Sequence, residues 1–205
     1  MKIIPPSHEI LYLPPAEEVL RIIEVAGRTC YKSEHKISTG SAIQFISRII
    51  RSGHESVIEH GFCTVKFICD RGVSHELVRH RLAAYSQEST RYANYSLDRF
   101  GNEITVIRPF FFKTDSRRYA IWLRAMEEAE RAYMELLQEG ARPEEARSVL
   151  PNSLKTEVVM TANFREWRHV LRLRTSRRAH PQIREIMLPL LEELKQRVPV
   201  IFDDI

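Results

Sequence analysis

Apolar residues recur along this chain at two spacings, and the switches between them mark out its elements. Between Pro15 and Cys30, Val19, Ile22, Ile23 and Ala26 fall three and four apart, the period of a helix face, and Pro15 suits a first helical turn. A second helix is expected over 40–51, where Ile43, Ile46, Ile49 and Ile50 form a stripe that stops before Gly53. GFCTVKFIC, residues 61–69, is short and rich in β-branched and aromatic side chains, which predicts a strand. A helix should follow from Val73 to Ala83, then a strand in ITVIRP, stopped by Pro109.

The strongest helical pattern lies between Asp115 and Gly140. Tyr119, Trp122, Leu123, Met126, Ala129, Tyr133, Leu136 and Leu137 share one face, Asp115 is placed to cap the start, and Gly140 supplies the stop. Pro143 opens a short helix ending near Leu150, KTEVVMTA before Asn163 predicts a strand, and helices over Phe164–Thr175 and Pro181–Arg197 complete the pattern. The fold class expected is α+β: a mixed α/β core with a small antiparallel sheet and a helical subregion. No repeat or Gly/Ser linker divides the chain, so a single compact domain over residues 1–205 is expected.

Composition narrows the chemistry. A net charge of +4 and a pI near 9.0 admit an anionic ligand but are too weak to argue for a nucleic-acid partner. None of the 7 glycines falls in G-x-G-x-x-G or G-x-x-x-x-G-K, so a bound nucleotide must be gripped by side chains. Cys30, Cys63 and Cys69 are odd in number and never spaced C-x-x-C, which excludes a disulfide framework and a zinc ribbon and suggests a reducing compartment. Cys63 and Cys69 have the same strand parity and read as core filling. His75-Glu76 is followed by His80 at i+5, where H-E-x-x-H needs i+4, so no metal site is expected. No segment approaches the roughly 18 apolar residues of a membrane span, and no signal peptide is evident, so the expected location is cytoplasmic, away from membranes.

The most unusual stretch runs from Arg79 to Tyr92. On a helix, Arg79, His80 and Arg81 fan about 100° apart, so at least one of them faces inward. Gln87, Ser89 and Arg91 alternate, and in an extended chain would present an amide, a hydroxyl and a guanidinium to one side, a set suited to a phosphate monoester and a pyrimidine edge. A solvated basic surface is the plainer reading of the same residues. Farther on, Trp167, Val170, Leu171 and Arg174 fall at i, i+3, i+4 and i+7, which sets Arg174 on the apolar face and Arg168, Arg172 and Arg177 elsewhere. An inward guanidinium stays charged and needs acceptors, from a ligand or from a buried carboxylate. Asn163 with Glu166 three residues on fits a capping box. The arginines from Arg165 to Arg178 leave open a nucleic-acid-binding helix, although no aromatic platform is interleaved with them.

R-H-R, seven residues and then Ser, in Arg79 to Ser89, resembles the signature of flavin-dependent thymidylate synthases, and the agreement runs on through Arg91-Tyr92. Gly53-His54-Glu55-Ser56 with Glu59-His60, Ala146-Arg147 before Leu150-Pro151, and Asn163 followed by Leu173-Arg174 fit the same family in order. The resemblance implies conversion of dUMP to dTMP with 5,10-methylenetetrahydrofolate as carbon donor, FAD as hydride carrier and NADPH as reductant, in a homotetramer whose sites lie at subunit interfaces, without nucleic acid. It implies flavin contacts for His54, Ser56, Arg79, His80, Arg81, Gln87, Asn163, Arg165 and His169. For dUMP it implies Glu76, Arg79, Gln87, Ser89, Thr90, Arg91 and Arg147, with Ser89 and Arg91 on the phosphate, and Arg174 as the catalytic contact to uracil. Glu76 stands where glutamine is common in the family, and His169 where asparagine is. A flavin-binding redox protein acting on another substrate is the remaining alternative.

Overall fold

A computed structural model describes residues 1–205. Strand β1 (Lys2–Ile4) is followed by β2 (Ser7–Tyr12), then by helices α1 (Ala16–Thr29) and α2 (Ser41–Arg51). A 3-10 turn over Glu55–His60 leads into β3 (Phe62–Asp70), α3 (Arg71–Leu77) and β4 (Ala83–Gln87). Next come β5 (Thr105–Ile107), the long α4 (Arg117–Gln138), the single turn α5 (Pro143–Ala146), β6 (Lys155–Asn163), α6 (Phe164–Thr175) and α7 (Pro181–Arg197). The class is α+β, with a four-stranded antiparallel sheet ordered β2-β3-β6-β4 and a parallel pair β1-β5.

The chain forms two compact units, each assembled from three separate segments. Unit 1 comprises Met1–Ser7, Phe67–Arg79 and Ser86–Val158; unit 2 comprises His8–Lys66, His80–Tyr85 and Val159–Ile205. The boundaries fall inside strands β2, β3, β4 and β6 and between α3 and β4, so neither unit is a contiguous stretch of sequence.

In unit 1, Trp122, Met126 and Tyr133 of α4 pack with Ile104, Val106, Ala146 and Leu154, and Tyr119, Leu123, Leu136 and Leu137 close the rim. The face expected of this helix is the face it buries. Its cap is one residue later than expected: Ser116, not Asp115, accepts from the Tyr119 amide. β1 pairs with β5 from Lys2↔Thr105 to Ile4↔Ile107. Neither β1 nor β2 was expected, because the prolines around these short strands interrupt any period; in the fold they lie between the strands and beyond them.

In unit 2, α1 buries Val19, Leu20 and Ile23, but also the charged pair Glu24 and Arg28, while Ile22 faces solvent. The helix is rotated relative to the expected stripe because Gly27 meets the Phe45 ring of α2, which a Cβ would approach to 2.6 Å. On α2, Phe45 joins Ile46 and Ile49 in the core and Ile43 is exposed. Trp167 of α6 is fully buried and its Nε1 donates to the Cys63 carbonyl at 3.0 Å.

The expected helix over Val73–Ala83 is shorter and starts earlier. Asp70 caps it by accepting from the Val73 amide at 2.7 Å, and the helix ends at Leu77. Residues from Ala83 alternate half-buried and exposed, a period of two, and form β4 instead.

Candidate functional site

The expected site residues fall into two groups, one in each unit. In unit 1 the extended chain ends at Gln87, so the alternation expected to continue through Ser89 and Arg91 stops there. The next residues turn: Ser89 O accepts from the Tyr92 and Ala93 amides, and Ser89 Oγ accepts from the Arg91 amide at 3.2 Å. This turn brings Thr90 beside Arg147, whose Nη1 donates to Thr90 Oγ1 at 3.4 Å. It also sets Arg91 Nε on Glu144 Oε2 at 2.9 Å. Ser89, Arg91 and Arg147 thus gather at one exposed corner, with Thr90 buried beside them. Glu144, which sequence reasoning missed, joins them from α5, and Arg142 pairs with it at 2.9 Å.

Gln87 lies deeper. Its Nε2 donates to Ser74 Oγ at 3.0 Å and to Thr156 Oγ1 at 3.2 Å, two hydroxyls with no exposed surface. Glu76 is half-buried on α3, while Arg79 and Arg81 are exposed on either side of His80. One member of the R-H-R triplet was expected to face inward from a helix; the helix ends at Leu77, before the triplet, and of the three residues the histidine is the buried one.

In unit 2, His80 is held on several sides. The Tyr85 hydroxyl donates to its backbone carbonyl at 2.7 Å, Arg174 Nε donates to its Nε2 at 3.0 Å, and Glu166 Oε1 lies 3.8 Å from its Nδ1. His169 meets its ring edge-on, with centroids 5.7 Å apart. Because Nε2 accepts from a guanidinium, the ring is neutral with its proton on Nδ1. Burial, with Arg174 and His169 beside it, pushes the imidazole down to about 4.

Glu166 explains why the capping box is only half built. Asn163 Oδ1 accepts from the Glu166 amide at 2.9 Å, as a cap should, but the Glu166 carboxylate is turned to His80 and does not reach back to Asn163. Arg174 is half-buried, as its position on the apolar face requires. The deepest arginine of α6, however, is Arg168, with no exposed surface, although its spacing placed it off that face. It is admitted because carboxylates meet it. Its Nη2 donates to Glu55 Oε1 at 3.0 Å and to Asp204 Oδ2 at 2.8 Å, and its Nη1 donates to Asp204 Oδ1 at 2.6 Å and to the Ile201 carbonyl. Arg168 holds the Asp204 carboxyl down to about 2. No single-residue signal in the sequence marks this cluster, because its partners lie more than thirty and more than a hundred positions away.

His54 and Ser56, both exposed, line a cavity of about 390 Å³ together with Cys30, Tyr31, Val57 and Arg165. Gly53 ahead of them has φ +74°, a left-handed conformation that lets the chain turn into the 3-10 segment. Arg165 Nη1 donates to Glu59 Oε1 at 2.7 Å across that segment. An imidazole, a hydroxyl and a guanidinium around one opening suit a polar heterocycle or a phosphate, and the volume takes part of a dinucleotide. No helix is long and apolar enough to cross a membrane. No group of three or more His, Cys, Asp or Glu side chains is arranged to hold a metal ion.

Residues 14–200 match the family model described as thymidylate synthase complementing protein. The chain is 37% identical over 177 residues to a flavin-dependent thymidylate synthase of Pyrococcus furiosus, an alignment covering 86% of this chain and 72% of that one. It is 35% identical over 189 residues to the enzyme of the same name from Geobacter sulfurreducens, covering 89% and 80%. To that of Corynebacterium glutamicum it is 30% identical over 217 residues, covering 97% and 84%. The match runs through both units, takes in the R-H-R and serine stretch, and includes the histidine, arginine and asparagine positions described above, so the chain belongs to the flavin-dependent thymidylate synthase family.

Proposed function

We propose that this chain methylates dUMP to dTMP, taking the carbon from 5,10-methylenetetrahydrofolate and the reducing equivalents from NADPH, with FAD as cofactor. Overall, C5 of the uracil loses a proton and gains a methyl group whose third hydrogen arrives as hydride. Tetrahydrofolate and NADP⁺ leave. Bound flavin supplies the hydride relay, which is why the protein needs no nucleophilic thiol. Cys63 and Cys69 agree with that: burial pushes both thiols up to about 12, far from the thiolate form.

The observation that carries this reading is the bond from Arg174 to neutral His80. Committing Nε to the imidazole fixes the plane of the guanidinium, whose two amino groups form the other edge of the fork. Such an edge matches uracil O2 and N3. Cationic charge there favours the N3-ionised, enolate-like pyrimidine and so makes C5 the nucleophile. Ser89, Thr90, Arg91 and Arg147 take the phosphate end of dUMP, with Arg79, Gln87 and Glu76 as further nucleotide contacts. His54, Ser56, Arg79, Arg81, Gln87, Asn163, Arg165 and His169 contact the flavin. His80 was expected to do the same; its burial suits an indirect role through Arg174 better.

The cavity beside His54 takes only part of a molecule of FAD's size, which supports a homotetramer in which several copies complete each site. The nucleic-acid reading loses half of its arginines, since Arg165, Arg168 and Arg172 are all paired with carboxylates. A cytoplasmic location accords with the substrates.

The test is direct. The purified chain should bind FAD, colour yellow, and convert dUMP to dTMP with NADPH consumed in equal amount. A chain that FAD cannot reconstitute overturns the proposal, as does NADPH oxidation that another pyrimidine nucleotide elicits better than dUMP does.

A further inference from the structure

On α6, Arg165, Arg168 and Arg172 lie at i, i+3 and i+7, one face of the helix, and that face runs along the 3-10 turn Glu55–His60. Arg165 holds one end of the turn through Glu59 at 2.7 Å. Arg168 and Arg172 hold the other through a single oxygen, Glu55 Oε1, at 3.0 and 3.4 Å. Behind them stands Asp204, from the segment that follows α7. One of its oxygens meets Arg168 at 2.6 Å and the other meets Arg172 at 2.9 Å. Two guanidiniums and two carboxylates therefore form a closed, neutral quartet around a completely buried Arg168. Ile201 and Phe202, both with no exposed surface, seat the segment that carries Asp204, and the Phe202 ring meets Phe164 edge-on.

Glu55 is the residue between His54 and Ser56, and all three line the same cavity. We propose that Asp204 and Arg168 are positioning residues for that loop. By orienting both guanidiniums toward Glu55 Oε1, Asp204 sets the place of the Glu55 side chain, and through it the His54 and Ser56 groups offered to a flavin. The inference rests on the flavin reading of the cavity given above. Its physical ground is that a bidentate Arg–carboxylate contact fixes direction as well as distance. A loop whose preceding glycine is left-handed and whose two flanking residues are exposed needs such an anchor to keep one geometry. Without Asp204, Arg168 and Arg172 keep Glu55 as a partner but lose the fork that aims them, and the loop relaxes.

The decisive comparison is Asp204→Asn against Asp204→Glu and against Glu193→Gln. Glu193→Gln removes a separate unit 2 carboxylate, which meets Arg197 at 3.2 Å and His8 at 3.0 Å. FAD dissociation constants come from flavin fluorescence, dUMP affinity from calorimetry, thermal midpoints from each variant, and amide exchange is followed over residues 53–60. Asp204→Asn should weaken FAD binding about tenfold, the effect of losing one charge-assisted hydrogen bond. Exchange over 53–60 should speed up, dUMP affinity should hold, and Asp204→Glu should restore most of the loss. Glu193→Gln should leave FAD affinity unchanged at a comparable thermal shift. If Asp204→Asn lowers the midpoint while FAD affinity stays at the wild-type value, the quartet is only structural and the proposal is overturned. If the wild-type chain itself binds no FAD, the flavin reading is what fails, and the exchange data then report separately whether the quartet orders the loop.

Discussion

Arg174 Nε donates to His80 Nε2 at 3.0 Å, joining a cation on the last turn of α6 to the central residue of the R-H-R triplet. The bond is made to a neutral ring, so the imidazole orients the guanidinium without neutralising its charge. Arg174→Ala removes the proposed uracil contact and leaves the loop that carries His54 untouched. We expect dTMP formation to fall at least about 100-fold, the scale of losing one preorganised charge-stabilising donor. FAD binding and the thermal midpoint should stay close to wild type. Steady-state kinetics alongside flavin absorbance checks this, and near-normal turnover would remove Arg174 from the catalytic role.

Burial of the same imidazole, with the Arg174 charge beside it, makes the protein acid-sensitive. His80 titrates near 4 in the folded chain against 6.5 for an ordinary histidine, so between these values the unfolded chain binds the extra proton. Its contribution is complete above pH 6.5 and is lost as pH falls through 4, an effect on the order of 3 kcal/mol. Arg174 and His169 oppose a charge on the ring, while Glu166 at 3.8 Å from Nδ1 is the acidic group facing it. His80→Gln can still accept from Arg174 but does not titrate. Urea unfolding at pH 7.5, 6 and 5 should show a steeper decline in the wild type than in His80→Gln; parallel declines would exclude His80 as the source.

Local signals in the sequence specify the fold where they are long or chemically loud. The periodic face of α4 and the strands around Cys63 and Val158 follow from patterns a few residues wide, whereas the R-H-R triplet lies beyond the helix that was expected to hold it. Burial along α6 did not follow from its pattern. Arg168 breaks the rule that charge faces outward, and what permits it, Glu55 and Asp204, is distant in sequence. The extended reading of Ser89 and Arg91 failed for the opposite reason. The serine hydroxyl is satisfied two residues on and closes a turn, a competition between side chain and backbone that strand parity does not register.

Thiol chemistry separates the three cysteines. Cys63 and Cys69 are completely buried and their thiols are pushed up to about 12, whereas Cys30, the C-cap of α1, is exposed. Titration of the native chain with a thiol-specific disulfide reagent at pH 8 should release one equivalent quickly, and three after addition of guanidinium. Mass mapping should place the fast label on Cys30. Rapid labelling of Cys63 would mean that the strand opens far more readily than its packing implies.

Arg91 offers a test of the phosphate corner that barely involves stability. Its partner contact to Glu144 is made by a side chain 58% exposed, and such pairs contribute less than about 1 kcal/mol. Arg91→Ala should leave the thermal midpoint nearly unchanged. The KM for dUMP should rise roughly 10- to 100-fold, the cost of a lost charged hydrogen bond, with a smaller change in kcat. Deoxyuridine lacking the phosphate should discriminate poorly between wild type and variant. An unchanged KM would move the phosphate away from this turn.

Packing around Gly61 supplies a prediction that concerns the fold alone. This glycine ends the 3-10 turn, its carbonyl accepts from the Phe164 amide at 2.8 Å, and it lies flat against the first residue of α6. A Cβ there would stand 2.5 Å from the Phe164 ring and 2.9 Å from Val19. Both neighbours are buried, and Phe164 also carries the edge-on contact to Phe202, so neither can yield without disturbing the unit 2 core. Gly61→Ala should cost about 1–3 kcal/mol, the usual range for overpacking. Gly140 is the control. It closes α4 at φ +89° with open space around it, so Gly140→Ala meets only backbone strain, about 1 kcal/mol. Denaturant unfolding of the two variants should therefore rank Gly61→Ala as the more damaging. The reverse order would show that α6 can slide away from the turn, and would weaken the case that this helix holds the His54 loop in one place.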